Sequence, residues 1–132
     1  MIKKISFLVF IAILMSSCYE SLEDRAAREA KEYTEKNCPT PVVNYTRTDS
    51  VVFDKTTKTY HYYCSVSDKM DDARIINLNK QKIEELLGNS IKEETGTRKY
   101  KEAGFNFAYT LRSTKNPKQI LFEKIYTPKD YK

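Results

Sequence analysis

Side chains that could act as nucleophiles, bases or metal ligands are sparse in this sequence of 132 residues. The main candidates are one histidine and three cysteines: His61, Cys18, Cys38 and Cys64. Paired acids occur at Asp71-Asp72 and Glu84-Glu85, where a turn and a helix normally expose carboxylates to water. Catalysis needs a nucleophile or metal, a base of suitable pKa and a group that stabilises developing charge. No such set is recognisable, so the sequence predicts a protein that is not an enzyme.

Motifs of the common cofactor and metal sites are also missing from the sequence. It contains no His-Glu-x-x-His zinc motif, no Gly-x-Ser-x-Gly nucleophile motif and no phosphate-binding loop. Its three glycines leave little material for tight loops around a ligand. Without Cys18, two cysteines and one histidine remain, and they are too few for an ordinary zinc site. No Cys-x-x-Cys motif suggests a redox role. We therefore expect no metal and no cofactor.

The first eighteen residues have the composition of an export signal. Lys3 and Lys4 precede an almost wholly apolar run over residues 5–15, which is followed by two serines and Cys18. About ten apolar residues form a helix of roughly 15 Å, half the hydrocarbon thickness of a bilayer. A short membrane helix is therefore excluded on length. A soluble secreted protein would have an Ala-x-Ala-like cleavage site, and Ala12 is the only alanine in this segment.

This segment resembles the lipobox of bacterial lipoproteins, in which a dedicated signal peptidase cleaves before a cysteine that carries diacylglycerol. The one departure is Met15, where the pattern prefers Leu, Val or Ile. The resemblance implies removal of residues 1–17, and it implies that Cys18 carries two ester-linked chains and an amide-linked one such as palmitate. Several chains anchor a protein permanently. In the lipoproteins that this segment resembles, an Asp after the cysteine favours retention in the inner membrane. Here Tyr19 follows Cys18, so the resemblance implies the outer membrane, with the domain facing the periplasm or the cell surface.

The remaining chain, residues 18–132, has the length of one domain. Loss of Lys3 and Lys4 lowers the count of basic residues from 23 to 21, and subtracting 18 acidic residues leaves a net charge of +3. The basic excess lies toward the C-terminus, where it would suit an acidic partner, lipid headgroups or simply a solvated surface. Nucleic acid is not an expected partner for an exported protein.

Cys38 and Cys64 remain once Cys18 is used for lipidation. Two cysteines in an oxidising compartment commonly pair. A disulfide that closes the loop between Cys38 and Cys64 would stabilise the domain by about 3 to 4 kcal/mol in the chain-entropy model. The sequence therefore predicts a Cys38–Cys64 disulfide, and two buried free thiols are the alternative.

Hydrophobic periodicity predicts two helices and four strands in the order α-β-β-α-β-β. The first helix covers residues 19–36, with Ser21 as its N-cap. Asn79 is expected to cap the second, whose buried side comprises Ile83, Leu86, Leu87 and Ile91. The predicted strands are residues 50–55, 59–67, 104–113 and 119–127. A two-layer α+β fold, with a four-stranded antiparallel sheet and both helices on one face, buries this pattern best. This topology resembles small periplasmic binding and inhibitor modules.

Alternation along the strands predicts one sheet face that the helices leave open. Aromatic residues such as Tyr60, Tyr62, Phe105, Phe107 and Tyr109 fall on the covered face. The opposite face would expose a mixed polar and aromatic set, which is our candidate binding surface: His61, Tyr63, Asn106, Thr110 and Arg112. An ordinary solvated face is the alternative.

Export, small size and the lack of a catalytic set favour a non-enzymatic lipoprotein of the cell envelope. We expect it to contact the membrane through its N-terminal lipid and to act as a small protein-binding module for another envelope protein. The alternative is an immunity or inhibitor protein, held in the periplasm to neutralise a toxin or hydrolase.

Overall fold

The computed structural model describes residues 20–132, so the predicted signal segment, Cys18 and Tyr19 lie outside the described residues. Five α-helices, a short 3-10 turn and four strands form this part of the chain. In order they are α1 (Leu22–Asn37), β1 (Thr46–Asp54), β2 (Thr59–Val66), the 3-10 turn (Asp68–Met70), α2 (Ala73–Leu78), α3 (Lys80–Glu93), α4 (Arg98–Glu102), β3 (Asn106–Ser113), β4 (Ile120–Tyr126) and α5 (Pro128–Tyr131). Within residues 20–132, no helix is long and apolar enough to cross a membrane.

The four strands form one sheet in the order β1-β2-β3-β4. The α+β class, the four-stranded sheet and the order of the main elements are confirmed. The expectation of a wholly antiparallel sheet is wrong, because β2 and β3 are parallel and Thr59 lies beside Asn106. Helix α3 has 14 residues, a length of about 21 Å, and it returns the chain to the end of the sheet where β2 began. The third strand therefore starts next to the second and runs in the same direction.

The helices cover one face of the sheet, as the sequence predicted. Ala26 and Ala30 of α1 are buried against Val51 and Phe53 of β1. The other helices contribute one large buried side chain each to the same layer: Ile76 of α2, Ile91 of α3, Tyr100 of α4 and Tyr131 of α5. The core between the two layers consists of two clusters of buried residues, with Tyr62, Leu87 and Tyr109 packed against both, and the opposite face of the sheet lies outside it.

Buried tyrosines make up much of this core, and three of them have their hydroxyls hydrogen-bonded within the domain. Tyr100 donates to Glu29 Oε2 at 2.8 Å, Tyr126 to the Glu84 carbonyl at 2.7 Å and Tyr131 to the Phe105 carbonyl at 2.6 Å. Burial raises the pKa of Tyr60 and of Tyr126 to about 12. These tyrosines therefore act as core residues rather than as exposed contact residues, and Tyr100, Tyr126 and Tyr131 each have an internal hydrogen bond.

Two details of the predicted helices are wrong. Asn79 occupies the N-cap position of α3, as predicted, but its side chain makes no capping hydrogen bond there and instead donates an N–H to the Ile75 carbonyl of α2 at 2.8 Å. This happens because α2, which the periodicity did not reveal, ends where α3 begins. Leu86 is 57% exposed, whereas Ile83 and Leu87 are partly buried and Ile91 is buried. By contrast, the Ser21 side chain accepts from the Asp24 N–H at 3.1 Å, as predicted.

The structure holds Cys38 and Cys64 as free thiols, so it does not contain the predicted disulfide. Cys38 is half-buried just after α1, and Cys64 is buried on the helix-covered face of β2. Burial raises the pKa of both thiols, that of Cys64 to about 11, which keeps them protonated and poorly nucleophilic at neutral pH. Pairing in an oxidising compartment stays a prediction.

The outer edge of β1 is closed by side chains that precede it in the chain. The Thr34 hydroxyl of α1 accepts from the Val51 N–H at 2.8 Å and donates to the Val51 carbonyl at 2.9 Å. Thr40 makes the equivalent pair with Thr48, its N–H donating to the Thr48 carbonyl and its hydroxyl accepting from the Thr48 N–H, both at 2.9 Å. Helix α1 is thereby fixed to the sheet by hydrogen bonds as well as by apolar packing.

Replacing Thr34 with Val should test this attachment at nearly constant volume. The change removes both hydrogen bonds and leaves the Val51 N–H and carbonyl unpaired, so we expect the free energy of unfolding to fall by about 1 to 3 kcal/mol. Urea denaturation would measure the difference. Thr56→Val, at an exposed turn residue, is the matched control and should stay within about 0.5 kcal/mol of the parent. Equal stability of the two variants would contradict the role of Thr34.

Candidate functional site

The sheet face opposite the helices is uncovered by any other element of residues 20–132. Strand register sets Val52, His61, Ala108 and Ile125 in one row across all four strands. The next row contains Ser50, Tyr63, Thr110 and Glu123. A shallow concavity of about 480 Å³ lies over these rows. We call this surface the open face and define it by Val52, His61, Tyr63, Asn106, Ala108, Thr110, Glu123 and Ile125.

The five residues of the predicted binding surface are found at different depths and positions. His61, Tyr63 and Asn106 line the concavity, while Thr110 is 1% exposed and lies beneath it. Arg112 is two residues further along β3, where its Nη1 donates to the Pro117 carbonyl at 3.3 Å. The structure therefore brings His61, Tyr63 and Thr110 together and leaves Arg112 at the far end of the strand from Asn106.

His61 and Tyr63 form a flat platform in the middle of the open face. Their ring centroids are 4.0 Å apart and their planes differ by 4°. Residues two apart on a strand point to the same face, which is why β2 stacks these two rings. A flat, half-buried aromatic surface offers a partner a large contact area at low cost in side-chain entropy.

A chain of hydrogen bonds joins His61, Thr110 and Glu123 across three strands. The Thr110 hydroxyl donates to Glu123 Oε1 at 3.1 Å and lies 2.7 Å from His61 Nε2. Because a hydroxyl carries one hydrogen, we assign the hydrogen of the second bond to His61 Nε2, which leaves Nδ1 as the acceptor of the ring. In this arrangement His61 does not take a proton from Thr110, so the pair does not form an activated nucleophile.

The charge state of His61 follows from its burial in this network. Burial lowers the pKa of His61 from its ordinary value near 6.5, and the nearby Glu123 charge offsets part of that decrease. The imidazole is therefore neutral at pH 7. A neutral ring with a fixed tautomer presents one hydrogen-bond acceptor to a bound molecule.

Apolar side chains border the platform on both sides. Val52 on β1 is 50% exposed and Ile125 on β4 is 59% exposed, with the small Ala108 between them. Beyond Tyr63, Arg47 pairs with Asp49 at 2.8 Å, and the Ser65 hydroxyl donates to the same carboxylate. Within residues 20–132, no group of three or more His, Cys, Asp and Glu side chains is arranged to hold a metal ion. The open face suits an amphipathic protein segment.

Sequence reasoning missed four members of the open face: Val52, Ala108, Glu123 and Ile125. Period-two alternation in the last strand does place Glu123 and Ile125 on the same side. Which side that is depends on the register with β3, which puts Glu123 beside Thr110 and Ile125 beside Ala108.

A groove of about 300 Å³ between α1 and β1, lined by Ala27, Ala30, Thr34, Val51 and Phe53 among others, was also missed by the sequence analysis.

Residues 21–122 match the model of a family described as "Domain of unknown function (DUF8479)", and the chain belongs to this family. No curated protein matches the sequence.

Three solved structures share the fold. A candidate secreted protein from Pseudomonas aeruginosa is 15% identical, with a TM-score of 0.66 over 86% of this chain and 100% of that chain. EpsS, the pilotin from the Vibrio vulnificus type 2 secretion system, is 11% identical, with a TM-score of 0.62 over 84% and 92%. AspS, the type II secretion system pilotin from Vibrio cholerae, is 12% identical, with a TM-score of 0.59 over 83% and 91%. At these identities the likeness is one of fold.

The His61 network predicts a titration that NMR can follow without assignment problems, since the chain has one histidine. We expect a pKa below 6.5, and a further decrease in Glu123→Gln, which removes the charge that raises it. Because the unfolded chain then binds the proton more readily, the free energy of unfolding should fall as the pH drops from about 6.5 to the folded pKa.

Glu102→Gln on α4, an exposed position, is the control and should leave the His61 titration unchanged. A His61 pKa at or above 6.5, or no shift in Glu123→Gln, would contradict the network. His61→Gln should remove the part of the pH dependence of stability that belongs to the imidazole.

Proposed function

We propose that this family member is a lipid-anchored, non-enzymatic protein of the outer membrane that binds a segment of another envelope protein on its open face. We further propose that the partner is a component of a type 2 secretion system, the system for which two of the similar structures are named as pilotins. The observation that carries the proposal is the uncovered sheet face with its aromatic platform and exposed apolar border.

The open face combines the two properties that a protein-binding surface needs. Covering Val52 and Ile125 would remove apolar area from water at roughly 25 cal/mol per Å². The His61 acceptor and the exposed Glu123 carboxylate would fix the orientation of the partner through hydrogen bonds. A segment with apolar residues on one side and donors on the other fits this arrangement.

The position of α1 supports attachment close to a membrane. Helix α1 begins at Leu22, so residues 18–21 would span no more than about 14 Å even when extended. Its first turn lies beside the β1–β2 turn, because Asp24 pairs with Lys55 at 2.5 Å and Glu23 with Lys58 at 3.7 Å. If Cys18 bears lipid, this end of the sheet faces the bilayer and the strands lead away from it.

Support for a non-enzymatic role comes from the hydrogen-bond order around Thr110. Its hydroxyl is buried and donates to a carboxylate, so it is neither accessible to a substrate nor activated by His61. Nothing in residues 20–132 or in the similar structures favours the immunity-protein alternative.

The partner proposal can be tested with Ile125→Asp. A charge at this 59% exposed position should reduce binding about tenfold or more, if Ile125 lies under the partner, and leave the fold intact. Leu86→Asp, at a 57% exposed position on the helix layer, is the matched control. The measurements are copurification of a type 2 secretion component with the tagged chain and the amount of secreted substrate outside the cells. Unchanged secretion in cells lacking the protein would refute the secretion role.

The anchor proposal is tested by Cys18→Ser. The serine cannot form the thioether that carries diacylglycerol, so we expect no incorporation of labelled palmitate and an uncleaved precursor. Mass spectrometry of the N-terminus and fractionation of the membranes would follow both. Cys38→Ser controls for loss of a cysteine elsewhere and should still be lipidated. Cleavage of the Cys18→Ser chain at the same bond, with the same membrane attachment as the parent, would overturn the proposal.

A further inference from the structure

The two edges of the sheet differ in how their backbone groups are satisfied. On the outer edge of β1, side-chain and backbone groups of Thr34 and Thr40 bind the N–H and carbonyl groups of Val51 and Thr48, at 2.8 to 2.9 Å. Such closure prevents another strand from adding there. Among the described residues, 20–132, none covers the edge at β4 in a comparable way.

Register shows which backbone groups of β4 point outward. The Asn106 N–H donates to the Lys58 carbonyl at 2.9 Å, so even-numbered residues of β3 bond to β2 and odd-numbered ones to β4. Tyr109 pairs with Lys124, and Phe107 with Tyr126. The N–H and carbonyl groups of Glu123 and Ile125, which alternate with these, therefore face away from the sheet.

Within residues 20–132, no hydrogen bond reaches these outward groups of Glu123 and Ile125. Both residues are exposed. The next outward N–H, that of Thr127, is satisfied by Asp130 Oδ2 at 2.8 Å in the capping box of α5. The unsatisfied stretch is thus a short, defined segment at the border of the open face.

We propose that the β4 edge is a docking surface for an extended segment of a different protein, which adds to the sheet as a fifth strand antiparallel to β4. Main-chain hydrogen bonds to Glu123 and Ile125 provide the attachment, as in other cases of strand addition. The surface goes beyond the open face and does not depend on the secretion-system partner.

Charge makes a second copy of this chain the wrong occupant. Antiparallel pairing of two β4 strands over their full length would set the two Glu123 carboxylates directly opposite each other. A shift by two residues, which keeps the outward groups of both strands facing each other, sets the two Lys124 ammonium groups opposite each other. The same shift in the other direction sets Glu123 opposite Leu121. Like charges directly across a strand pair are destabilising. In none of these three registers do two copies gain a cross-strand ion pair at the centre of β4.

The same positions define the side chains that the foreign strand should carry. A basic residue opposite Glu123 and an acidic residue opposite Lys124 would form cross-strand pairs. An apolar residue opposite Ile125 would extend the apolar row that runs through Val52 and Ala108. We infer a partner segment whose side chains alternate between the two faces of the sheet. Its basic and apolar side chains lie on the side of the open face, and its acidic side chain lies on the opposite side.

A synthetic peptide with the sequence Thr-Val-Glu-Lys-Thr-Val-Thr, blocked at both ends, presents this pattern antiparallel to β4. The full chain, purified in mild detergent, is examined by amide hydrogen exchange with the peptide in excess. We expect the Glu123 and Ile125 amides to exchange rapidly without peptide and several-fold more slowly with it. The Lys124 amide, already bonded to β3, should stay protected throughout and serves as the internal control for folding.

Charge reversal tests the partner chemistry separately from strand addition. A second peptide carries Glu in place of its Lys and should bind the parent chain about threefold more weakly. On Glu123→Lys the order of the two peptides should reverse, while the Lys124 amide stays protected. Reversal would support the side-chain assignment. Equal binding of both peptides to both chains would overturn it.

Three results would overturn the docking surface itself. The Glu123 and Ile125 amides could prove protected without peptide, which would mean that the edge is already covered. Peptide-induced protection could appear only at residues outside β4, or fail to appear at any peptide concentration reached. None of these results bears on secretion in living cells. Failure of the docking surface can therefore be distinguished from failure of the proposed function.

Discussion

One-sided coverage of the sheet is the constraint on which the remaining structure depends. The segment between β2 and β3 folds into helices that all lie on the face bearing Tyr60, Phe107 and Tyr126, and α1 joins them there. The helices bury these aromatic rows, and α3 also accepts a hydrogen bond from the Tyr126 hydroxyl through the Glu84 carbonyl. The same crossover makes the central strand pair parallel. Because the helices described lie in that one layer, the second face of the sheet is left to polar side chains, the His61–Tyr63 platform and exposed apolar residues such as Val52 and Ile125.

The two edges of the sheet differ in whether other protein groups bind their main-chain N–H and carbonyl groups. Buried or partly buried main-chain groups need partners, and Thr34 supplies them at Val51 on one edge of the sheet. At β4 the groups of Glu123 and Ile125 are exposed to water, which satisfies them in the free protein and can be displaced by a partner. The open face and the β4 edge meet at these two residues, so the exposed features of the sheet form one continuous region rather than scattered patches.

The network of His61, Thr110 and Glu123 gives this region a fixed chemistry. Three strands each contribute one side chain, and the buried hydroxyl between them sets the tautomer of the histidine. Such a network is rigid because each member is held by its strand and by its neighbour. A rigid polar centre beside exposed Val52 and Ile125 is suited to binding a protein segment, whereas the order of donors around Thr110 gives no nucleophile.

Sequence alone determined the fold class, the order of the main elements and the sharing of one face by His61, Tyr63 and Thr110, because alternation and periodicity are local properties of the backbone. It also favoured export and lipidation at Cys18, which stay predictions. Only tertiary structure decided that β2 and β3 run parallel, that Asn79 closes α2 and that Glu123 meets Thr110. Strand register and helix packing depend on residues distant in the chain, and local patterns do not contain them. Arg112 is an example: alternation assigned it to the correct face of the sheet, but its position along β3 puts it outside the site.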